Sequence, residues 1–85
     1  MDISRADQRI LHLLAQGGRI EITRNANRKI EKCQCFTREG WLFASFDLEQ
    51  FRRLKRLRAI QSRASRPYTI TERGLNLVRA QPDNR

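Results

Sequence analysis

Apolar positions along this chain follow two periods, and the switches between them mark out its elements. Ile3, Ala6, Ile10, Leu13 and Leu14 recur at helical spacing between a capping signal, Ser4 followed by Asp7, and the stop Gly17-Gly18, which predicts a first helix. Arg19-Ile20-Glu21-Ile22-Thr23-Arg24 then alternates apolar with polar and is β-branched, the pattern of a half-buried strand. Asn25-Ala26-Asn27-Arg28 supplies turn residues. Lys29 to Phe36 returns as the second strand of a hairpin, with Cys33 and Cys35 on one face because they stand two residues apart. Thr37-Arg38-Glu39-Gly40 interrupts the pattern. The apolar run Trp41-Leu42-Phe43-Ala44 is too short for periodicity to separate a third strand from a short helix across 41–46, and a short helix is the favoured reading.

Asp47 with Gln50 three residues later is a capping box that opens a second helix. Leu48, Phe51, Leu54 and Leu57 form its apolar stripe, which ends near Ala59-Ile60. Ser62 to Pro67 is loop-like and lies between two short strands, Ala59-Ile60-Gln61 and Tyr68-Thr69-Ile70. Thr71 caps a last helix carrying Leu75, Leu77 and Val78, and Gln81 to Arg85 reads as a flexible tail. With no internal repeat and no linker, 85 residues make one domain, 1–85. The expected fold is α+β, a small domain similar to a winged helix-turn-helix: a recognition helix, a two-stranded wing and a closing helix. Tyr68-Thr69-Ile70-Thr71-Glu72-Arg73-Gly74 resembles the strand-to-helix junction of winged-helix regulators, and Leu57-Arg58-Ala59-Ile60 falls where those proteins leave the recognition helix. The departure is an extra N-terminal β-hairpin, Arg19 to Phe36, where a short strand is usual.

Charge sharpens the picture. The net charge is +9, and of 18 basic residues 15 are arginine. Arginine forks onto carboxylate or phosphate oxygens and stays charged when half-buried; an arginine excess is also what GC-rich coding produces. Between Phe51 and Pro67 there are seven positive charges and no negative one. Arg52, Arg53, Lys55 and Arg56 project from the side of the second helix opposite its apolar stripe, and Arg63 and Arg66 lie on the wing. Such a row meets phosphates, guanine edges or an acidic protein surface. A solvated face keeping a basic protein soluble is the plainer account, but packed like charges repel, and that account leaves the cost unexplained.

Other chemistry is sparse. Cys33 and Cys35 are too close for an unstrained disulfide, which leaves two reduced thiols packed in a strand. Four soft ligands for a structural zinc are not at hand, and His12 reads as a surface residue, so neither metal nor cofactor is expected. Trp41 and Phe43 beside Arg38 suit stacking on a base or anchoring a partner, although core packing is the favoured reading for aromatics in so small a domain. No glycine-rich phosphate loop, His-Glu-x-x-His pattern or nucleophile elbow occurs, so no catalytic residue is expected and the chain reads as a non-enzyme. No run approaches the roughly 20 apolar residues of a membrane span, and a signal-peptide layout is missing, which gives a cytoplasmic expectation.

End to end, the chain resembles the YjhX family of small bacterial proteins. The resemblance rests on Ser4-Arg5, Leu11-His12, Leu14-Ala15, Cys35-Phe36-Thr37-Arg38-Glu39-Gly40, Phe51 and Leu54-Lys55. It continues through Pro67-Tyr68, Leu75-Asn76, Val78-Arg79-Ala80-Gln81 and Asp83-Asn84-Arg85. It implies the toxin half of a toxin–antitoxin pair, which binds and inhibits bacterial DNA topoisomerase I, is held off by a cognate antitoxin and has no chemistry of its own. Because it runs to the last residue, the tail with Asp83, Asn84 and Arg85 is expected to meet a partner, as are Arg38 and Trp41. The second helix is richer in arginine than the family resemblance implies. A DNA-binding transcription regulator and, on charge and size alone, an RNA-binding accessory protein are the rival readings. Oligomeric state is left open by the sequence.

Overall fold

The computed structural model describes residues 3–79. Its elements run α1 (Arg5–Ala15), β1 (Arg19–Arg24), β2 (Ile30–Phe36), β3 (Leu42–Phe43), α2 (Leu48–Arg56), β4 (Ile60–Gln61), β5 (Thr69–Ile70) and α3 (Glu72–Arg79). This is a small α+β fold with three helices and two antiparallel sheets, β1-β2-β3 and β4-β5.

Each helix starts where the sequence offers a cap. The Ser4 hydroxyl accepts from Asp7 N–H at 3.0 Å, and the Asp47–Gln50 box closes in both directions. Thr71 Oγ1 accepts from Gly74 N–H at 3.0 Å and donates to the Arg58 carbonyl at 2.7 Å. The inward face of α1 differs from the expected stripe. Ala6 is exposed, while Asp7, Ile10, Leu11 and Leu14 are buried. A carboxylate takes the place expected of the alanine methyl because a cation from α2 meets it there.

In the first sheet Ile20 stands opposite Cys35 and Ile22 opposite Cys33, so all four point to one face. The turn between β1 and β2 is held by Asn25, whose Oδ1 accepts from the N–H of Asn27 and of Lys29. Within 41–46 the chain forms a strand at Leu42–Phe43, not a short helix. The three-residue loop Arg38-Glu39-Gly40 explains the difference: Gly40 N–H donates to the Thr37 carbonyl at 2.9 Å and Gly40 takes φ +94°. That is the left-handed position of a three-residue hairpin, and it folds Leu42 and Phe43 back beside Phe36 and Cys35.

The two sheets meet at one reciprocal pair, Ile20 N–H to the Tyr68 carbonyl at 2.9 Å and Tyr68 N–H to the Ile20 carbonyl at 2.8 Å. The strand array therefore reads β3-β2-β1-β5-β4. Ile10, Leu11, Leu14, Ile20, Cys35, Phe51, Leu54, Ala59, Ile60 and Val78 form the core. They draw on every helix and on β1, β2 and β4. α3 reaches this core only because residue 74 is glycine, since a Cβ there would stand 2.4 Å from the Ala59 carbonyl oxygen.

Candidate anion-binding face

Phe51 and Leu54 are fully buried, and Leu48 and Leu57 pack half-buried at the two ends of α2. That anchoring turns the opposite side of the helix outward. At about 100° per residue the cations fan out in the order Lys55, Arg52, Arg56, Arg53. Arg52, Lys55 and Arg56 are exposed; Arg53 is half-buried.

The two ends of this fan meet different neighbours. Arg53 turns back to α1, where its Nε lies 2.8 Å from Asp7 Oδ2 and its Nη2 2.9 Å from Oδ1. This two-pronged pair joins α1 to α2. Hydrogen bonding to Asp7 is the main reason the Arg53 guanidinium is held yet more firmly protonated; partial burial opposes it, and the Asp7, Glu49 and Asp47 charges add to it. Glu49 lies 3.6 Å from Arg53 one turn earlier on α2. The charge of Arg53 is thus compensated inside the fold, unlike that of its three neighbours.

Lys55 marks the other end. Its Nζ sits 5.9 Å from the ring centres of both Phe51 and Tyr68, which meet edge-to-face at 5.0 Å. Tyr68 opens the return strand of the β4–β5 hairpin, so Lys55 links the helix row to that hairpin. At the hairpin tip Arg66 N–H donates to the Arg63 carbonyl at 3.0 Å, and Ala64 and Ser65 both take positive φ, 52° and 60°. Two successive left-handed residues make a type I′ turn, which presents Arg63 and Arg66 at its two ends, both exposed. Arg52, Lys55, Arg56, Arg63 and Arg66 enter none of the ion pairs found among the described residues.

Arg24 and Arg19 join the surroundings unannounced by the sequence pattern. Arg24 lines a groove with Glu21, Ser65, Arg66 and Tyr68 on one flank of the hairpin, and Arg19 lines another with Gln61, Arg63 and Arg66 on the other flank. The Ile20–Tyr68 pair brings β1 beside the hairpin, and nothing local in either segment signals that pairing.

The remaining candidates lie elsewhere. Trp41 is 73% exposed and so is not core, while Phe43 packs half-buried against the core. Trp41 immediately precedes the two-residue edge strand β3. Arg38 is exposed in the same hairpin. Asp83, Asn84 and Arg85 lie outside the described residues. Burial pushes the Cys33 thiol up to about 12, with the Cys35 and Asp47 charges adding, and burial raises Cys35 to about 11, both from an ordinary 9.0. Thiols so raised stay protonated at neutral pH and make poor nucleophiles or metal ligands. Among the described residues no group of three or more His, Cys, Asp or Glu side chains is placed to hold a metal, and no helix is long and apolar enough to cross a membrane.

Comparison with known proteins finds a match along the whole chain. Residues 1–85 match a family model described as "Putative toxin of bacterial toxin-antitoxin pair", named for the YjhX toxin. A UPF0386 protein of Rhizobium etli is 69% identical over 85 residues, covering 100% of both chains. UPF0386 proteins of Agrobacterium fabrum and Hyphomonas neptunium are 64% and 57% identical, over 100% and 99% of both chains. No solved structure matches the chain.

Proposed function

Because the chain belongs to the YjhX toxin family of bacterial toxin–antitoxin pairs, we propose that it is a toxin that binds bacterial DNA topoisomerase I, blocks relaxation of supercoiled DNA, and is held off by a cognate antitoxin. The observation that carries this reading is the uncompensated cationic face: Arg52, Lys55 and Arg56 on α2, joined through Lys55 and Tyr68 to Arg63 and Arg66 on the hairpin. No chemistry is needed for such a protein to inhibit. A rigid arginine face competes for phosphates in the enzyme's DNA channel, or for acidic side chains at its mouth, by charge-assisted hydrogen bonds. The toxin acts in the cytoplasm, where the enzyme and its DNA are.

A second reading has its own support. A helix, a two-stranded hairpin with arginines at its tip and a closing helix follow one another in the order of a winged-helix DNA-binding module. In that reading the same residues serve a transcription regulator, with α2 in the major groove and Arg63 and Arg66 on the backbone or in the minor groove.

One assay separates the two. The protein is titrated into topoisomerase I on negatively supercoiled plasmid, with a gel shift of the same plasmid alongside. Inhibition at concentrations that give no shift makes the enzyme the target. Inhibition only where the plasmid is already coated refutes that and favours the DNA-binding reading. Arg52→Glu with Arg56→Glu abolishes inhibition in the first case and the shift in the second; a double variant that retains both activities overturns the assignment of this face.

A further inference from the structure

Trp41 and Leu42, 73% and 54% exposed, are the exposed large apolar side chains among the described residues. Both belong to the β3 hairpin arm, and β3 pairs only with β2 there, so its outer edge is open. Soluble proteins normally blunt such an edge with a short strand, a charge, a proline or a bulge, and of these β3 has the first alone, at two residues. Here Gly40 to Phe46 contains no charge and no proline, in a chain of which 32% is charged.

Beside this apolar step the surface turns cationic. Arg38 lies with its stem against Gly17, its Cδ 3.1 Å from where a Cβ at that residue would stand. With Arg9, His12, Gln16, Thr37 and the acidic Glu39 it lines a cleft at the C-terminal end of α1, two arginines to one carboxylate. Trp41 is tied to the same place: its N–H donates to Thr37 Oγ1 at 3.0 Å and its carbonyl accepts from Thr37 N–H at 2.8 Å. In the array β3-β2-β1-β5-β4 this edge and the arginine hairpin are at opposite ends, three strand spacings or roughly 14 Å apart across β2 and β1.

Resting on the reading of the chain as a toxin held by an antitoxin, we infer that the β3 edge is where the antitoxin docks, and that it receives an acidic extended segment of that protein. The segment adds to β3 as a further strand through main-chain hydrogen bonds, lays apolar side chains on Trp41 at one face and on Leu42 at the other, and sets carboxylates against Arg38 and Arg9. Charge selects this occupant. A second copy of the chain would bring another +9 and another Arg38 to the same edge, and nucleic acid finds its stronger field on α2 and the hairpin. The docked segment therefore lies clear of the arginine face.

The test uses the full chain and the protein encoded by the reading frame beside its own. Trp41 is the only tryptophan, so its emission reports the edge directly. On complex formation the emission moves to shorter wavelength, and Trp41→Ala or Arg38→Glu weakens the complex roughly thirtyfold or more, as loss of a central anchor does. Arg52→Glu with Arg56→Glu leaves the affinity unchanged, and thermal melts by circular dichroism confirm that each variant is folded. A complex that forms with unchanged Trp41 emission, and as tightly with Trp41→Ala, overturns the inference while leaving the toxin–antitoxin reading intact. An emission shift produced by plasmid alone, or by concentrating the chain into a dimer, assigns the edge to another occupant and also overturns it. Failure to form any complex overturns the pair itself and this inference with it.

Discussion

Replacing Arg53 by methionine removes the cation that faces a buried carboxylate and tests the joint between α1 and α2. The Asp7 side chain is 3% exposed and that of Arg53 35% exposed. Losing one partner of a buried pair costs about 3–5 kcal/mol, because the other charge is left desolvated. Water already reaches a third of the guanidinium and will partly rehydrate Asp7 in its absence, so the expected cost falls to about 2–3 kcal/mol. The converse change, Asp7→Asn, frees Arg53 to swing into solvent and costs only about 1 kcal/mol. The pair is therefore asymmetric, and Asp7→Leu placed on top of Arg53→Met recovers most of the loss by replacing an ion pair with packed hydrocarbon. The whole domain has roughly 4–13 kcal/mol of stability at 0.05–0.15 kcal/mol per residue, so the effect is a large fraction of the total. Urea unfolding at pH 7 reads it: with a slope near 1 kcal/mol/M, Arg53→Met lowers the midpoint by about 2–3 M. A loss under about 0.5 kcal/mol, or an Asp7→Asn loss as large as that of Arg53→Met, refutes the reasoning. The same variant bears on the cationic face. On the winged-helix reading, a salt titration of DNA binding shows a slope reduced by about 0.9 for each of Arg52→Ala and Arg56→Ala, whereas Arg53→Met leaves it unchanged because that charge is already compensated.

Three further predictions concern backbone strain, close packing and titration. Arg58 occupies the left-handed residue after α2 (φ 58°), in a cap where Ala59 N–H reaches the Leu54 carbonyl and Arg58 N–H the Lys55 carbonyl; Arg58→Gly relieves that strain and stabilises by about 1 kcal/mol. Gly74→Ala, by contrast, drives a methyl into the Ala59 carbonyl and costs about 2 kcal/mol, so thermal melts move in opposite directions for the two variants, and a neutral Gly74→Ala contradicts the tight α3 contact. The Cys33 and Cys35 thiols, raised to about 12 and about 11, keep their protons in the folded state above pH 9.0, where the unfolded chain releases them. Their contribution to stability is full below pH 9.0 and is lost as pH rises through about 11–12. Urea midpoints measured from pH 8 to 11 fall more steeply for the native chain than for Cys35→Ala, and parallel curves contradict the burial of that thiol.

How much of this was legible beforehand depends on how local each signal is. The caps at Ser4, Asp47 and Thr71 formed as read, because a capping side chain reaches only two or three residues along its own chain. The hairpin alternation of β1 and β2 held for the same reason, placing Ile20, Ile22, Cys33 and Cys35 on one face. The misread segment, 41–44, had apolar residues but no period, and the decision lay in the Gly40 turn before it. Asp7 was read only in part: its N–H closes the Ser4 cap as expected, while its carboxylate pairs with Arg53, 46 residues away.

The sequence by itself determined the helices and the main hairpin, the apolar stripe of α2 and the excess of arginine opposite it, since spacing and charge act along one element at a time. Tertiary structure alone decided which of those arginines carry free charge. Long-range pairings made that choice: Asp7 takes up Arg53, and the Ile20–Tyr68 pair sets the hairpin that carries Arg63 and Arg66 against β1, with the Tyr68 ring beside Lys55. Such contacts join residues whose separation along the chain leaves no periodic trace, and only the closed core brings them within hydrogen-bonding distance.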